Sequence, residues 1–199
     1  MHIVITRPKE DSLYLIENLI RLGHTVTHLP VIKIEKLETE KINLLNYQAV
    51  IFTSSNAIKF MNVEKFNSKI KCFCVGKSTE FTARQVGFIN TYSSEGTVDS
   101  LIELILRTLD NKSGKLLYLS SEFISKDLDK DLIKARYSVD RISNYTSLPV
   151  EAIDKKTLVF FEKNLMFFYP LFQLEVKYNL KFYLLNIQHL LNLYLNLWI

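Results

Sequence analysis

The sequence predicts an α/β protein built on parallel sheets with flanking helices, and three observations carry that expectation. Short β-branched or apolar runs alternate with amphipathic stretches, the pattern made by strands that cross over through helices. Amphipathic stretches end at Gly23 and Gly87, where a left-handed residue can close a helix, and another meets the turn Asn111-Lys112-Ser113-Gly114. Small polar loops follow several of the apolar runs, which is where the helices of such units begin.

Taken in order, the first strand is expected at 2–6. The helix after it begins near Lys9 and carries Leu13, Ile16, Leu19 and Ile20 at helical spacing before Gly23. Strands follow at 25–29, 49–53 and 71–75, and a helix runs from Lys77 to Gly87. After a strand at 89–92, a third helix from about Val98 presents Leu101, Leu104, Ile105 and Leu109 on one face. Further strands are expected at 116–119, 138–142 and 158–161.

Residues 50–61 and 158–169 look alike, with an apolar strand leading into a polar turn and Asn56 or Asn164. A weak duplication giving two similar lobes accounts for this, and so does chance likeness between apolar strands. From 164 to 199 the composition shifts to Leu, Asn, Phe and Tyr, without a Gly, Ser, Thr or Asp. There Ile187, Leu190, Leu191, Tyr194, Leu195 and Trp198 recur at helical spacing and read as a terminal helix covering a core. A membrane span is disfavoured by Asn186, Gln188, His189, Asn192 and Asn196, and an interfacial helix by the absence of Lys or Arg on the polar face.

Composition narrows the function classes. Over 199 residues, hydrophobic residues make up 48% and charged residues 23%, ordinary globular usage. The net charge of +4 suits anionic small molecules, whereas the lysines are too dispersed for a nucleic-acid stripe. No signal-peptide succession opens the chain, so it is expected in the cytoplasm. Cys72 and Cys74 alternate on one strand face as free buried thiols, and His2, His24, His28 and His189 add no ligand spacing for a metal.

Ligands of open parallel sheets bind outside the carboxyl ends of the strands. The loops there are Thr53-Ser54-Ser55-Asn56, Gly76-Lys77-Ser78-Thr79, Ser93-Ser94-Glu95-Gly96-Thr97 and Ser120-Ser121. Helix N-termini with small hydroxyl residues can hold carboxylate or phosphate. The same residues are also common caps with no ligand. For one loop capping is the better reading; four loops on one side of a sheet favour anion binding. No G-x-x-x-x-G-K-[ST], G-x-G-x-x-G or G-x-S-x-G occurs, which disfavours nucleotide enzymes and Ser hydrolases.

The succession Ile3-Val4-Ile5-Thr6-Arg7-Pro8, Leu29-Pro30-Val31-Ile32-Lys33-Ile34, Tyr47 through Ala57 with its F-T-S-x-N-A block, and Val75-Gly76-Lys77-Ser78-Thr79 resembles the uroporphyrinogen-III synthase family. Leu116 through Ser121 and Ile142-Ser143-Asn144-Tyr145-Thr146 continue the match in order and spacing, over roughly the first three quarters of the chain. The resemblance implies a cofactor-free lyase, acting as a monomer, that closes hydroxymethylbilane with loss of water and inversion of the last pyrrole ring. It implies two α/β lobes, the second inserted in the first: 1–34, then 35–146, then a return over 147–199, with connecting strands near 32–36 and 144–150. No nucleic acid or membrane partner is implied.

Carried over residue by residue, the resemblance makes Tyr145 the candidate general acid. Arg7, Thr53, Ser54, Ser55, Asn56, Gly76, Lys77, Ser78, Thr79 and Ser120 become candidates for holding the carboxylates of the substrate. Tyr145 can equally pack at the hinge, and Arg7 can equally hold a surface acid. After 158–161 the family's second Gly-x-x-Thr-type loop is not found and 162–199 departs from the pattern, which leaves the first lobe incomplete and suggests a frame change. Three readings follow: an active synthase with a divergent tail, an impaired relative, and an anion-binding or membrane-associated protein that is not an enzyme.

Overall fold

The computed structural model describes residues 2–150, and the strand expected at 158–161 and the terminal helix lie outside the described residues. Two compact units are present. The described part of the first is 2–34 with 147–150; the second is Glu35–Thr146.

In the first unit, β1 (His2–Ile5) pairs in parallel with β2 (Thr25–His28), His2 opposite Thr25 and Ile5 opposite His28. The crossover between them is a short 3-10 turn at Lys9–Asp11 and then α1 (Leu13–Arg21). Ser12 separates the two because its hydroxyl, fully buried, donates to the Pro8 carbonyl at 2.8 Å and so turns the chain. The helix stops at Gly23, whose φ of +82° is the left-handed value that glycine adopts at little cost.

The second unit is entered through β3 (Ile32–Lys36) and left through β10 (Val139–Pro149). Leu37 N–H donates to the Asn144 carbonyl and Val150 N–H to the Val31 carbonyl. Partner numbers rise along one strand as they fall along the other, so this edge pair runs antiparallel. The sequence reading split the return into a strand at 138–142 and a connection near 144–150. In the structure both belong to one strand, interrupted by a bulge between Ser143 and Tyr145.

The remaining strands of the sheet are β5 (Ala49–Phe52), β7 (Lys71–Cys74), β8 (Thr91–Ser93) and β9 (Leu116–Ser121). Their order is β3-β10-β9-β5-β7-β8, and every pairing among β10, β9, β5, β7 and β8 is parallel. β8 begins at Thr91 rather than Ile89, because Ile89 N–H bonds the Ser68 carbonyl and the Asn90 amide bonds that of Lys69, which holds both in the turn. A small pair the sequence did not signal, β4 (Ile42–Asn43) with β6 (Val63–Lys65), lies outside this sheet.

Helices cover both faces. Alternation puts Ala49, Ile51, Phe73, Leu116 and Tyr118 on one face, where they pack against Leu101 and Ile105 of α4 (Val98–Thr108) and Leu128 and Leu132 of α5 (Leu128–Lys134). The other face carries Val50, Phe52, Cys72, Cys74, Leu117 and Leu119, all fully buried. On that side α2 (Ser55–Lys59) packs on α3 (Lys77–Gln85), and Phe88 meets Phe52 edge-on at 5.8 Å. Burial on both faces explains why β5, β7 and β9 read as continuous apolar runs rather than alternating ones. The two cysteines are free and buried with sulfurs 3.8 Å apart; their mutual hydrogen bond, and then burial, push the Cys72 thiol up out of the reactive range.

Candidate functional site

Strand order fixes where a ligand can sit in the second unit. The chain runs β5, β7, β8 in one direction, then returns to place β9 on the other side of β5 and β10 beyond it. The reversal falls between β5 and β9. Outside their carboxyl ends the connections diverge to opposite faces and leave a crevice. It is bordered by 53–56, the turn after β5 with the start of α2, and by 120–123, where Ser120 and Ser121, expected in a loop, are the last residues of β9.

Thr53 continues β5 at this point, and its Oγ1 lies 3.3 Å from the Tyr118 hydroxyl of β9, one hydrogen bond across the crevice floor. Ser54 Oγ accepts the Asn56 N–H at 3.2 Å and caps α2. Ser55 opens that helix, and the nearly buried Asn56 takes the Lys59 ammonium on its Oδ1 at 3.2 Å. The side-chain oxygens of Ser54 and Asn56 therefore already have local partners, while Thr53 faces the junction of the two strands.

Across the crevice Ser120 is fully buried. Its hydroxyl donates to the Ser121 carbonyl and accepts from Arg141 Nε, both at 2.9 Å. Ser120 is thus an internal anchor at the end of β9.

The loop after β7 is built differently. Gly76 precedes α3 in extended backbone with no side-chain cap, so the first N–H groups of α3 have no capping side chain there. A side chain at Gly76 would approach the Gly96 Cα at 3.8 Å, so this loop and the one after β8 lie against each other. Ser78 is exposed, Thr79 is buried, and Lys77 Nζ reaches Glu80 at 3.0 Å. Thr97, by contrast, caps α4 by accepting the Ser100 N–H at 3.1 Å. The two readings of these loops divide by position: capping is realised at Ser54 and Thr97 and not at Gly76.

Glu80 holds this region together. Its carboxylate accepts from Ser93 Oγ at 2.7 Å, Arg84 Nη2 at 2.9 Å, Lys77 Nζ at 3.0 Å and Thr91 Oγ1 at 3.0 Å. Ser93 and Arg84 foremost hold it down at about 2, against the cost of burial.

Tyr145 is buried, at 3% exposure, and stands opposite Ser121 in the β9–β10 pairing. The preceding residue, Asn144, is the extra residue of the bulge, and its Nδ2 donates to the Ala57 carbonyl of α2 at 2.7 Å. The bulge breaks the alternation of β10 and re-aims Tyr145 onto the face of Ser121. Asn144→Ala is expected to destabilise the fold by about 1–3 kcal/mol, the range for stranding a buried polar partner, measurable as a lower urea midpoint.

Arg7 belongs to the first unit, where its carbonyl accepts from His28 Nε2–H at 2.9 Å. Ten of the eleven residues singled out from the sequence lie in the second unit. Thr53 and Ser120 flank the crevice, Tyr145 lies on the next strand, and of the expected loop after β7 only Gly76 precedes the helix, Lys77, Ser78 and Thr79 being the first turn of α3. Sequence reasoning missed Tyr118, Glu80, Arg141 and Asn144. Arg141 stands beside Asp140 in the polar strand Val139-Asp140-Arg141-Ile142-Ser143-Asn144, where one more charge gives no local signal.

A family model described as uroporphyrinogen-III synthase HemD matches residues 14–166. A porphyrin biosynthesis protein HemD from Ruminiclostridium josui is 26% identical over 159 residues, covering 73% of this chain and 32% of that protein. The chain therefore spans about a third of the length of this curated relative. Among solved structures, a mutant uroporphyrinogen III synthase from the extremely thermophilic bacterium Thermus thermophilus is similar in fold, with a TM-score of 0.54 and 15% identity over 76% of this chain and 64% of the other.

Proposed function

The chain belongs to the uroporphyrinogen-III synthase family, and from that premise we propose that it closes hydroxymethylbilane to uroporphyrinogen III, inverting the last pyrrole ring and releasing water. The observation that carries this reading is the crevice between β5 and β9, bordered by the F-T-S-x-N-A loop and the Ser120 loop of the family pattern, with Tyr145 on the adjoining strand.

The substrate bears carboxylates on every ring and closes without an enzyme to the isomer that lacks the inversion. The protein's task is then to hold a folded conformer and to ease departure of the hydroxyl. Backbone N–H groups at the start of α3 and the hydroxyl of Thr53 suit carboxylate positioning. A phenolic proton from Tyr145 would leave with the hydroxyl as water, and the carbon left behind is stabilised by the adjoining pyrrole nitrogen. The described residues 2–34 with 147–150 belong to the first lobe and 35–146 is the inserted lobe, and Arg7 is a carboxylate-binding candidate of the first. The reaction needs no cofactor, and the protein works as a monomer in the cytoplasm.

The test is conversion of enzymatically generated hydroxymethylbilane by the purified full chain, with the I and III isomers separated after oxidation. An excess of isomer III over the protein-free blank is expected. Isomer I alone, from a chain shown to be folded by circular dichroism, would overturn the reading.

A further inference from the structure

Arg141 is half-buried on β10, in register with Tyr118. Its side chain runs along β9 toward the carboxyl end. There Nε donates to Ser120 Oγ at 2.9 Å, and Nη2 donates to the carbonyls of Ser121 and Glu122 at 2.9 and 3.1 Å. All three acceptors are neutral. Among the described residues Arg141 makes no ion pair, and Nη1 has no hydrogen-bond partner. Of the acids nearby in the chain and on α5, Asp140 is held by Lys115 and Tyr47, Asp127 by Lys130 and Asp131 by Lys134, while Asp129 of α5 makes no ion pair with Arg141 and its buried Oδ1 has no hydrogen-bond partner among the described residues.

A cation withdrawn from water normally has a counter-charge, because neutral acceptors replace its hydration only in part. Here one edge of the guanidinium is fixed by the loop that borders the crevice. Nη1 is left with two diverging N–H groups, and either can donate one charge-assisted hydrogen bond to a carboxylate.

We propose that Arg141 is a substrate-binding residue, its Nη1 edge receiving one carboxylate of the polypyrrole at the β5–β9 crevice; the proposal rests on the reading of function above. Anchoring by Ser120 sets the direction of Nη1 before ligand arrives, so little side-chain freedom is lost on binding. This also gives the buried Ser120 a part in recognition without contact with the ligand.

The probe is uroporphyrin I, an octacarboxylate, titrated by fluorescence against the full chain at two salt concentrations. Arg141→Gln is expected to weaken binding about 10-fold or more at low salt and to flatten the salt dependence, since one ion pair is gone. Arg141→Lys keeps the charge and should restore the salt dependence while recovering only part of the affinity. Unchanged binding by Arg141→Gln, or weaker binding with the wild-type salt dependence, would overturn the proposal, the second outcome meaning that Arg141 only braces the loop. Absence of uroporphyrin binding by the wild type would overturn it too. The isomer assay separates this from the underlying reading: a chain that forms isomer III but fails either binding criterion loses Arg141 alone. Should Arg141→Gln not fold, Arg141→Lys and Ser120→Ala supply the comparison, with Ser120→Ala expected to weaken binding while leaving the salt dependence intact.

Discussion

Tyr145→Phe is expected to lower kcat for isomer III by about 100-fold, the lower end of what a positioned proton donor contributes, while KM changes by less than about threefold. The split follows from the geometry. The ring is buried and stands opposite Ser121 on a strand whose bulge is pinned to α2 through Asn144, so removing one oxygen leaves the packing of the ring in place. A structural tyrosine would instead lower stability, with kcat recovering once the folded fraction is counted. Because the substrate closes unaided to the other isomer, the variant should also raise the share of isomer I. Single-turnover kinetics with isomer separation checks both; an unchanged kcat would leave Tyr145 a packing residue.

Much of the second unit was legible in the sequence, for reasons that can be named. β5, β7 and β9 are buried on both faces, so their central residues form short apolar runs, Ala49–Phe52, Cys72–Cys74 and Leu116–Leu119, that stand out from the amphipathic stretches between them. Gly87, at a φ of +106°, marks a helix end because other residues are strained there. What escaped notice depends on contacts between distant residues. The bulge at Asn144 arises from a bond to Ala57, 87 residues away, and no local pattern announces it. The pair β4 with β6 is too short to show a period.

The candidate site was read less well than the fold, and the reason is again physical. Hydroxyl residues after strands identify loops but do not distinguish caps from ligand-binding groups. Ser54 and Thr97 turned inward to their helices, and Ser120 turned to Arg141, while Thr53 reached across to Tyr118. The choice among these depends on strand order, which brings β9 beside β5 only after three intervening strands have been laid down. Local sequence places residues at the carboxyl edge; topology selects which of them share a crevice.

Glu80 gives the second large effect, on stability. Its folded-state pKa of about 2 lies below the ordinary glutamate value, so the carboxylate stabilises the fold fully above about pH 4.5, and that contribution is lost as pH falls from there toward about 2. The displacement corresponds to about 3 kcal/mol without screening; because Lys77 and Arg84 lie largely in solvent, screening reduces the contribution to about 1–2 kcal/mol. Glu80→Gln keeps the shape, loses the charge and cannot titrate. Urea unfolding at pH 7 should therefore show the variant less stable by that amount, and the gap should close as both proteins are taken toward pH 3. Amide exchange should localise the loosening at pH 7 to α3 and β8, the two elements the carboxylate joins through Arg84, Thr91 and Ser93. A gap that stays constant with pH would mean that Glu80 contributes through packing and neutral hydrogen bonds instead. The loop from Gly76 to Thr79 would then owe its position to Gly96 and the backbone rather than to this charge.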